Sequence, residues 1–172
     1  VERRNWSGNS SQIKFNFGSV ASIKWIEGGK RLICGVESVS EDETIVSLIL
    51  LDPNSNEPSG ILPINDFDSL IDLVVDPKNP AEVWILGVKS NNRKLSVFNT
   101  ESSTVVTKPL PSQIINPSAL VISETNSWIV GQANRGITVV DLFSDRRNFS
   151  SHILGPGFSV TSMVESGGKI YV

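Results

Sequence analysis

Apolar residues along this chain gather in short runs separated by polar and turn-forming residues, and the runs recur. Leu48-Ile49-Leu50-Leu51 closes on Asp52, Ser96-Val97-Phe98 on Asn99, and Thr138-Val139-Val140 on Asp141. The three polar endings lie 47 and 42 residues apart. Gly35, Gly87 and Gly131 precede them, at intervals of 52 and 44 residues. β-Branched and aromatic residues are frequent in the runs, and these fit a pleated, half-buried surface. No stretch shows a helical period with capping residues, so the pattern predicts an all-β chain.

Aligned on the glycines, each unit reads as four strands, here a to d. The a strands are Ala21–Ile26, Ile71–Val75, Ser118–Ile122 and Thr161–Val164, with Ser22, Asp72, Ser118 and Ser162 in matching places. A turn composition follows each one, such as Glu27-Gly28-Gly29-Lys30 or Asp76-Pro77-Lys78-Asn79-Pro80. Glycine admits positive φ, proline fixes φ, and Asn or Asp bonds its own backbone. The b strands are Arg31–Cys34, Val83–Leu86, Trp128–Val130 and Ile170–Val172, and the c strands are the runs with polar endings. Candidates for d are Pro58–Leu62, Ser102–Thr107 and Asn148–Ile153, while the alternating Gln12–Phe17 reads as the d strand of an earlier unit.

A period of about 40 to 50 residues with several strands per unit marks a β-propeller blade. The expected division is a leading d strand over 12–18, blades over 19–66, 67–111 and 112–155, and an incomplete blade over 156–172. A propeller closes with typically four to eight blades. The remaining sectors are therefore expected from further chain, a second copy or another protein, and a first residue that is Val1 rather than Met agrees with a preceding segment. The competing expectation, from the same strand spacing, is one β-sandwich of about a dozen strands.

The strand order, the turn after strand a and the c strands closing on Asp52, Asn99 or Asp141 resemble WD40-type propeller repeats from Gln12 onward. In that family strand c commonly ends on Trp-Asp, and a Gly-His pair precedes strand a. Here the c-strand pairs read Leu51-Asp52, Phe98-Asn99 and Val140-Asp141; the preceding pairs read Phe17-Gly18, Leu62-Pro63 and Gly155-Pro156. Without a histidine at those places, the family's buried Asp–His network is not expected. The resemblance implies a rigid ring whose d–a and b–c loops open on one face and contact other proteins. Those loops run over 63–68, 111–116, 155–159, 37–43, 89–94 and 132–135. The candidate partner-binding residues on them are Asp66, Phe67, Asp68, Gln113, Asn134, Arg135 and Phe158. An exposed aromatic with a polar rim is the usual composition of a binding hot spot. The alternative for Phe67 and Phe158 is that each tucks between blades.

Composition narrows the classes. At 39% hydrophobic and 19% charged the chain is neither a disordered nor a membrane-spanning sequence. A net charge of −3 argues against a dedicated nucleic-acid binder, which normally carries a basic footprint. Cys34 has no partner for a disulfide within the chain and lies in an apolar run as a small buried hydrophobe. This favours a cytoplasmic or nuclear location. Asn5, Asn9 and Asn148 begin N-glycosylation acceptor patterns, which would matter in a secreted protein.

No residue set converges on a reaction. His152 is the one histidine and lies beside Ser150 and Ser151 in a predicted outer strand. A Ser-His-Asp arrangement needs a histidine held between nucleophile and carboxylate. One Cys and one His far apart make no zinc site, and residues 38–43 lack the ligand spacing of a calcium loop. Asp66 and Asp68 are the carboxylate pair that acid–base chemistry would use. Trp25, Trp84 and Trp128 fall inside strands and read as core between blades. No cofactor or metal is expected. The expected function is a non-catalytic scaffold for protein–protein contact within a larger assembly; the alternative is the propeller of an extracellular enzyme or carbohydrate-binding protein.

Overall fold

The structure, a computed structural model, describes residues 2–4, 10–12, 18–26, 31–40, 43–52, 55, 58–124, 126–133, 136–142, 149–152, 160, 162–166 and 169–172. Among the described residues every regular element is a strand. A short pair, β1 (Glu2–Arg4) and β2 (Ser10–Gln12), comes first. Three four-stranded antiparallel sheets follow, each a meander in chain order. The first holds β3 (Ser19–Ile26), β4 (Arg31–Ser40), β5 (Glu43–Leu51) and β6 (Pro58–Pro63). The second holds β7 (Ser69–Val75), β8 (Glu82–Lys89), β9 (Asn92–Asn99) and β10 (Thr104–Lys108). The third holds β11 (Asn116–Ile122), β12 (Ser127–Ala133), β13 (Gly136–Asp141) and β14 (Phe149–His152). A last pair is β15 (Val164–Ser166) with β16 (Lys169–Tyr171). One pair of stacked sheets, the competing expectation, is not what these strands form. Of the predicted leading strand, residues 13–17 lie outside the described ones.

The three sheets stack face to face, and the middle one is covered on both sides. Val83, Ile85 and Phe98 join Ile33, Val46 and Leu48 in a core between the first and second sheets, with Leu70 and Leu73 of β7. Trp84, Leu86, Leu95 and Val97 point the other way and pack with Leu120, Ile122, Ile129 and Val140. Successive strand residues face opposite sides. The continuous apolar run Val83-Trp84-Ile85-Leu86, 0–5% exposed, therefore feeds two cores at once. That is why it does not alternate with polar residues. The far side of the third sheet makes a smaller core of Ala119, Val130, Ile137 and Val139 with Val160, Met163 and Ile170.

Each first strand carries a β-bulge against the second strand of its sheet, and the bulges correct the alignment read from sequence. Before the bulge, Val20 pairs with Val36, Leu70 with Gly87 and Pro117 with Gly131. Gly87 and Gly131 are thus equivalent, but their counterpart in the first sheet is Val36, one residue past Gly35. After the bulge come Ser22, Asp72 and Ala119, so Ser118 is the bulged residue and not the match to Asp72. The polar endings shift too. Asp52 and Asn99 both lie five residues past the partner of that reference position, whereas Asp141 lies three past it. A sequence alignment on residue type alone cannot see an extra residue inside a strand.

Glycine has a definite use at two of these places. A β-carbon on Gly87 would come 2.5 Å from the Phe67 ring and 2.5 Å from the Ser69 carbonyl oxygen. On Gly131 it would come 2.3 Å from Ile114 and 2.5 Å from the Asn116 carbonyl oxygen. In both sheets the loop entering the first strand lays one apolar side chain into the gap that the glycine leaves.

Candidate functional site

The β6–β7 loop and the β8–β9 hairpin meet at one end of the second sheet. The hairpin turns on Ser90 and Asn91, both with positive φ, 49° and 64°. Two residues of that conformation match the twist of the flanking strands, and Asn tolerates it well. The loop is tied down beside it through the backbone, the Asp68 amide donating to the Val88 carbonyl at 2.7 Å.

Two lysine–aspartate pairs then fasten loop to hairpin. Lys89 Nζ donates to Asp68 Oδ1 at 2.8 Å and to the Asn65 carbonyl at 3.1 Å. The Ser90 amide donates to Asp68 Oδ2 at 2.7 Å, so both oxygens of this carboxylate are engaged. Lys94 Nζ donates to Asp66 Oδ2 at 2.9 Å while lying 5.7 Å from the centre of the Phe67 ring. The hydrogen bond from Lys89, and after it the one from the Ser90 amide, holds the Asp68 carboxyl below its usual 3.8. The shift favours the Asp68 anion, the reverse of the raised carboxyl that a proton-donating acid requires.

The sequence-predicted residues divide as follows. Asp66 and Asp68 are on the surface, their side chains 41% and 48% exposed, each paired with its own lysine. Phe67 does not offer an exposed aromatic: it is 2% exposed and sits in the core between the first and second sheets. Its ring fills the Gly87 gap, so the reading of Phe67 as an exposed hot spot is corrected to that of a core plug. Gln113 lies in the β10–β11 loop, the counterpart of the Asp66 loop in the next sheet, with its Oε1 buried and unbonded. Ile114 is the plug there, and the neighbouring Ile115 is 55% exposed. Asn116 Nδ2 donates to Gln132 Oε1 at 3.4 Å beside it. Asn134, Arg135 and Phe158 lie outside the described residues, as do Asn5, Asn9 and Asn148 and the side chain of His152.

Asp72 is the residue that the functional reading missed. It stands inside the apolar run Leu70-Ile71-Asp72-Leu73-Val74, and a charge in the middle of a strand was the available signal. Its Oδ2 accepts from the Leu120 amide of the third sheet at 3.0 Å, its Oδ1 accepts from the Leu73 amide at 2.9 Å, and Lys24 of the first sheet lies 3.6 Å away. One carboxylate thus touches the first strands of all three sheets. Glu37 Oε1 makes a related contact, accepting from the Leu70 amide at 2.5 Å.

At the opposite end of the first and second sheets, a shallow cleft of about 550 Å³ is lined by Arg31, Leu50, Asn79, Pro80, Ala81, Thr100 and Glu101. No group of three His, Cys, Asp or Glu side chains among the described residues is placed to hold a metal ion. None of the described elements is a helix long and apolar enough to cross a membrane. The chain matches no model of a known protein family and none of the curated proteins with which it was compared.

Proposed function

We propose that this chain is a sector of a WD40-like β-propeller, acting as a non-catalytic scaffold for protein–protein contact in a larger assembly. The observation that carries the reading is the stacking of three four-stranded meanders through their first strands. Such stacking gathers the d–a loops and b–c hairpins at one end, and radial repetition leaves only short, protected sheet edges. Further sectors, from more chain or from a partner protein, complete the ring.

The braced loop end is the contact face. Its charged groups are fixed by mutual pairing rather than left as a free acid and base, and rigidity lowers the entropy lost on binding. Partners are other proteins. The function fits a cytoplasmic or nuclear setting, and glycans found by mass spectrometry on Asn5, Asn9 or Asn148 in material from the native host would overturn that part.

The scaffold reading is tested by the double variant Asp66→Asn, Asp68→Asn. Any turnover of the parent protein is expected to stay unchanged, while affinity for its partner falls. Loss of turnover with an intact fold would defeat the proposal.

A further inference from the structure

The hairpins joining second to third strands do not end level. Counted from Gly87, β8 runs two residues further to Lys89, paired with Asn92, and from Gly131 β12 runs two to Ala133, paired with Gly136. From the matching Val36, β4 runs four, to Ser40, paired with Glu43. At the usual rise of a strand, β4–β5 stands about 7 Å above the other two at the loop end. β3 stops pairing at Glu37 and β6 at Ser47, after which the Ile64 amide donates to the Val46 carbonyl. Above that level no described strand flanks the hairpin.

What the hairpin lifts into solvent is partly apolar. Val39 is 76% exposed, more than any other large hydrophobic residue among those described. Side chains alternate along a strand, so Val39 shares a face with Glu37, whose carboxylate reaches the Leu70 amide of the second sheet. Val39 and its cross-strand neighbour Thr44 form a wall on the side of the β6–β7 loop. Ile45 is 39% exposed on the opposite face. A ribbon of two strands is marginally stable in water, and a third strand would cover these β-branched side chains.

Charge selects what that strand carries. Leu32 to Pro77 holds ten Asp or Glu, and all 15 Lys and Arg of the chain lie outside this segment. Lysines from elsewhere pair with Asp66, Asp68 and Asp72. The residues between β4 and β5 are Glu41 and Asp42, followed by Glu43, which is exposed and has no ion-pair partner among the described residues.

We propose, building on the scaffold reading above, that the β4–β5 hairpin is a prong on which an extended, basic segment of a partner protein docks beside β5. Its main chain pairs with the open edge at Glu43–Ile45. The aliphatic stems of its Lys or Arg side chains lie over Thr44 and Val39, with their charges meeting Glu41, Asp42 and Glu43. Such side chains cover apolar surface while keeping the cation in water. Strand addition supplies affinity through main-chain hydrogen bonds. Opposite charge speeds encounter and suppresses acidic competitors.

The test uses the chain at its natural length and the remainder of its assembly from the native host. The Glu43, Thr44 and Ile45 amides are expected to exchange about tenfold slower in the assembly than in the isolated chain. Unchanged exchange there overturns strand addition. The combined variant Glu41→Gln, Asp42→Asn, Glu43→Gln is expected to weaken reassembly about tenfold and to flatten its salt dependence. Val39→Ser, on an exposed site that the fold does not need, is expected to weaken it about fivefold. Full affinity in the charge variant overturns the basic partner, and full affinity in Val39→Ser overturns the contact with the wall. Reassembly that ignores both prong variants but weakens with Asp66→Asn and Asp68→Asn overturns the prong and leaves the scaffold reading standing. A chain that associates with no protein in its native host sinks both.

Discussion

At the scale of single residues, what surrounds each glycine separates positions that look alike in the sequence. A methyl group on Gly87 or Gly131 meets a fixed carbonyl oxygen at 2.5 Å, whereas on Gly35 it meets the tips of Leu70 and Leu73. Backbone cannot yield cheaply, and side-chain ends can. Gly131→Ala and Gly87→Ala are expected to cost about 1–3 kcal/mol, measured by denaturant unfolding, with Gly35→Ala at the lower end. Equal losses at all three would contradict the different surroundings. Asp68 makes a second residue-scale case. Its folded-state pKa is depressed, so its contribution to stability is present above 3.8 and is lost as pH falls through the lower folded value. Lys89→Met is expected to move the Asp68 titration, followed by NMR, back up toward 3.8. No movement would mean that the lysine is not its chief partner. Cys34 agrees with its sequence reading: it is buried, and desolvation pushes its thiol up to about 11. It is expected to resist alkylation at pH 8 until the protein unfolds.

At the scale of strands, the apolar runs were legible because period and length identify buried strands without tertiary information. β6, β10 and β14 all fall where d strands were predicted, Pro58 and Pro63 blunting the ends of an outer strand. The register was not legible, because bulges insert residues that change no composition. Nor was the role of Glu37 and Asp72, whose partners lie on other sheets, 33 and 48 residues away along the chain. Asp72→Ala removes the acceptor for two amides and is expected to destabilise by about 1–3 kcal/mol. Asp72→Asn keeps an acceptor oxygen and loses the Lys24 pair, which is partly exposed and worth less than about 1 kcal/mol. If thermal unfolding ranks Asn as damaging as Ala, charge rather than the hydrogen bond holds the strands together.

At the scale of the whole molecule, the second sheet belongs to two cores, so damage on either of its faces should reach both neighbours. Leu73→Ala removes a side chain that is 0% exposed between the first and second sheets, at an expected cost of about 2–5 kcal/mol. Hydrogen exchange should then accelerate in β4 and β5 as well as in β7. Acceleration confined to β7 would show sheets that open independently. Phe67 makes the same point for the candidate site. An aromatic flanked by two aspartates reads as exposed in a linear string, and only the gap above Gly87 turns it inward. From its own order of residues the chain determines that it is built of strands, roughly how long they are, and that they repeat in groups of four, since these follow from local period and turn chemistry. Tertiary structure alone decides which residues match between groups, which carboxylates join one sheet to the next, and which loop side chains remain in water. Those outcomes depend on distances between segments far apart in sequence, and no local pattern encodes them.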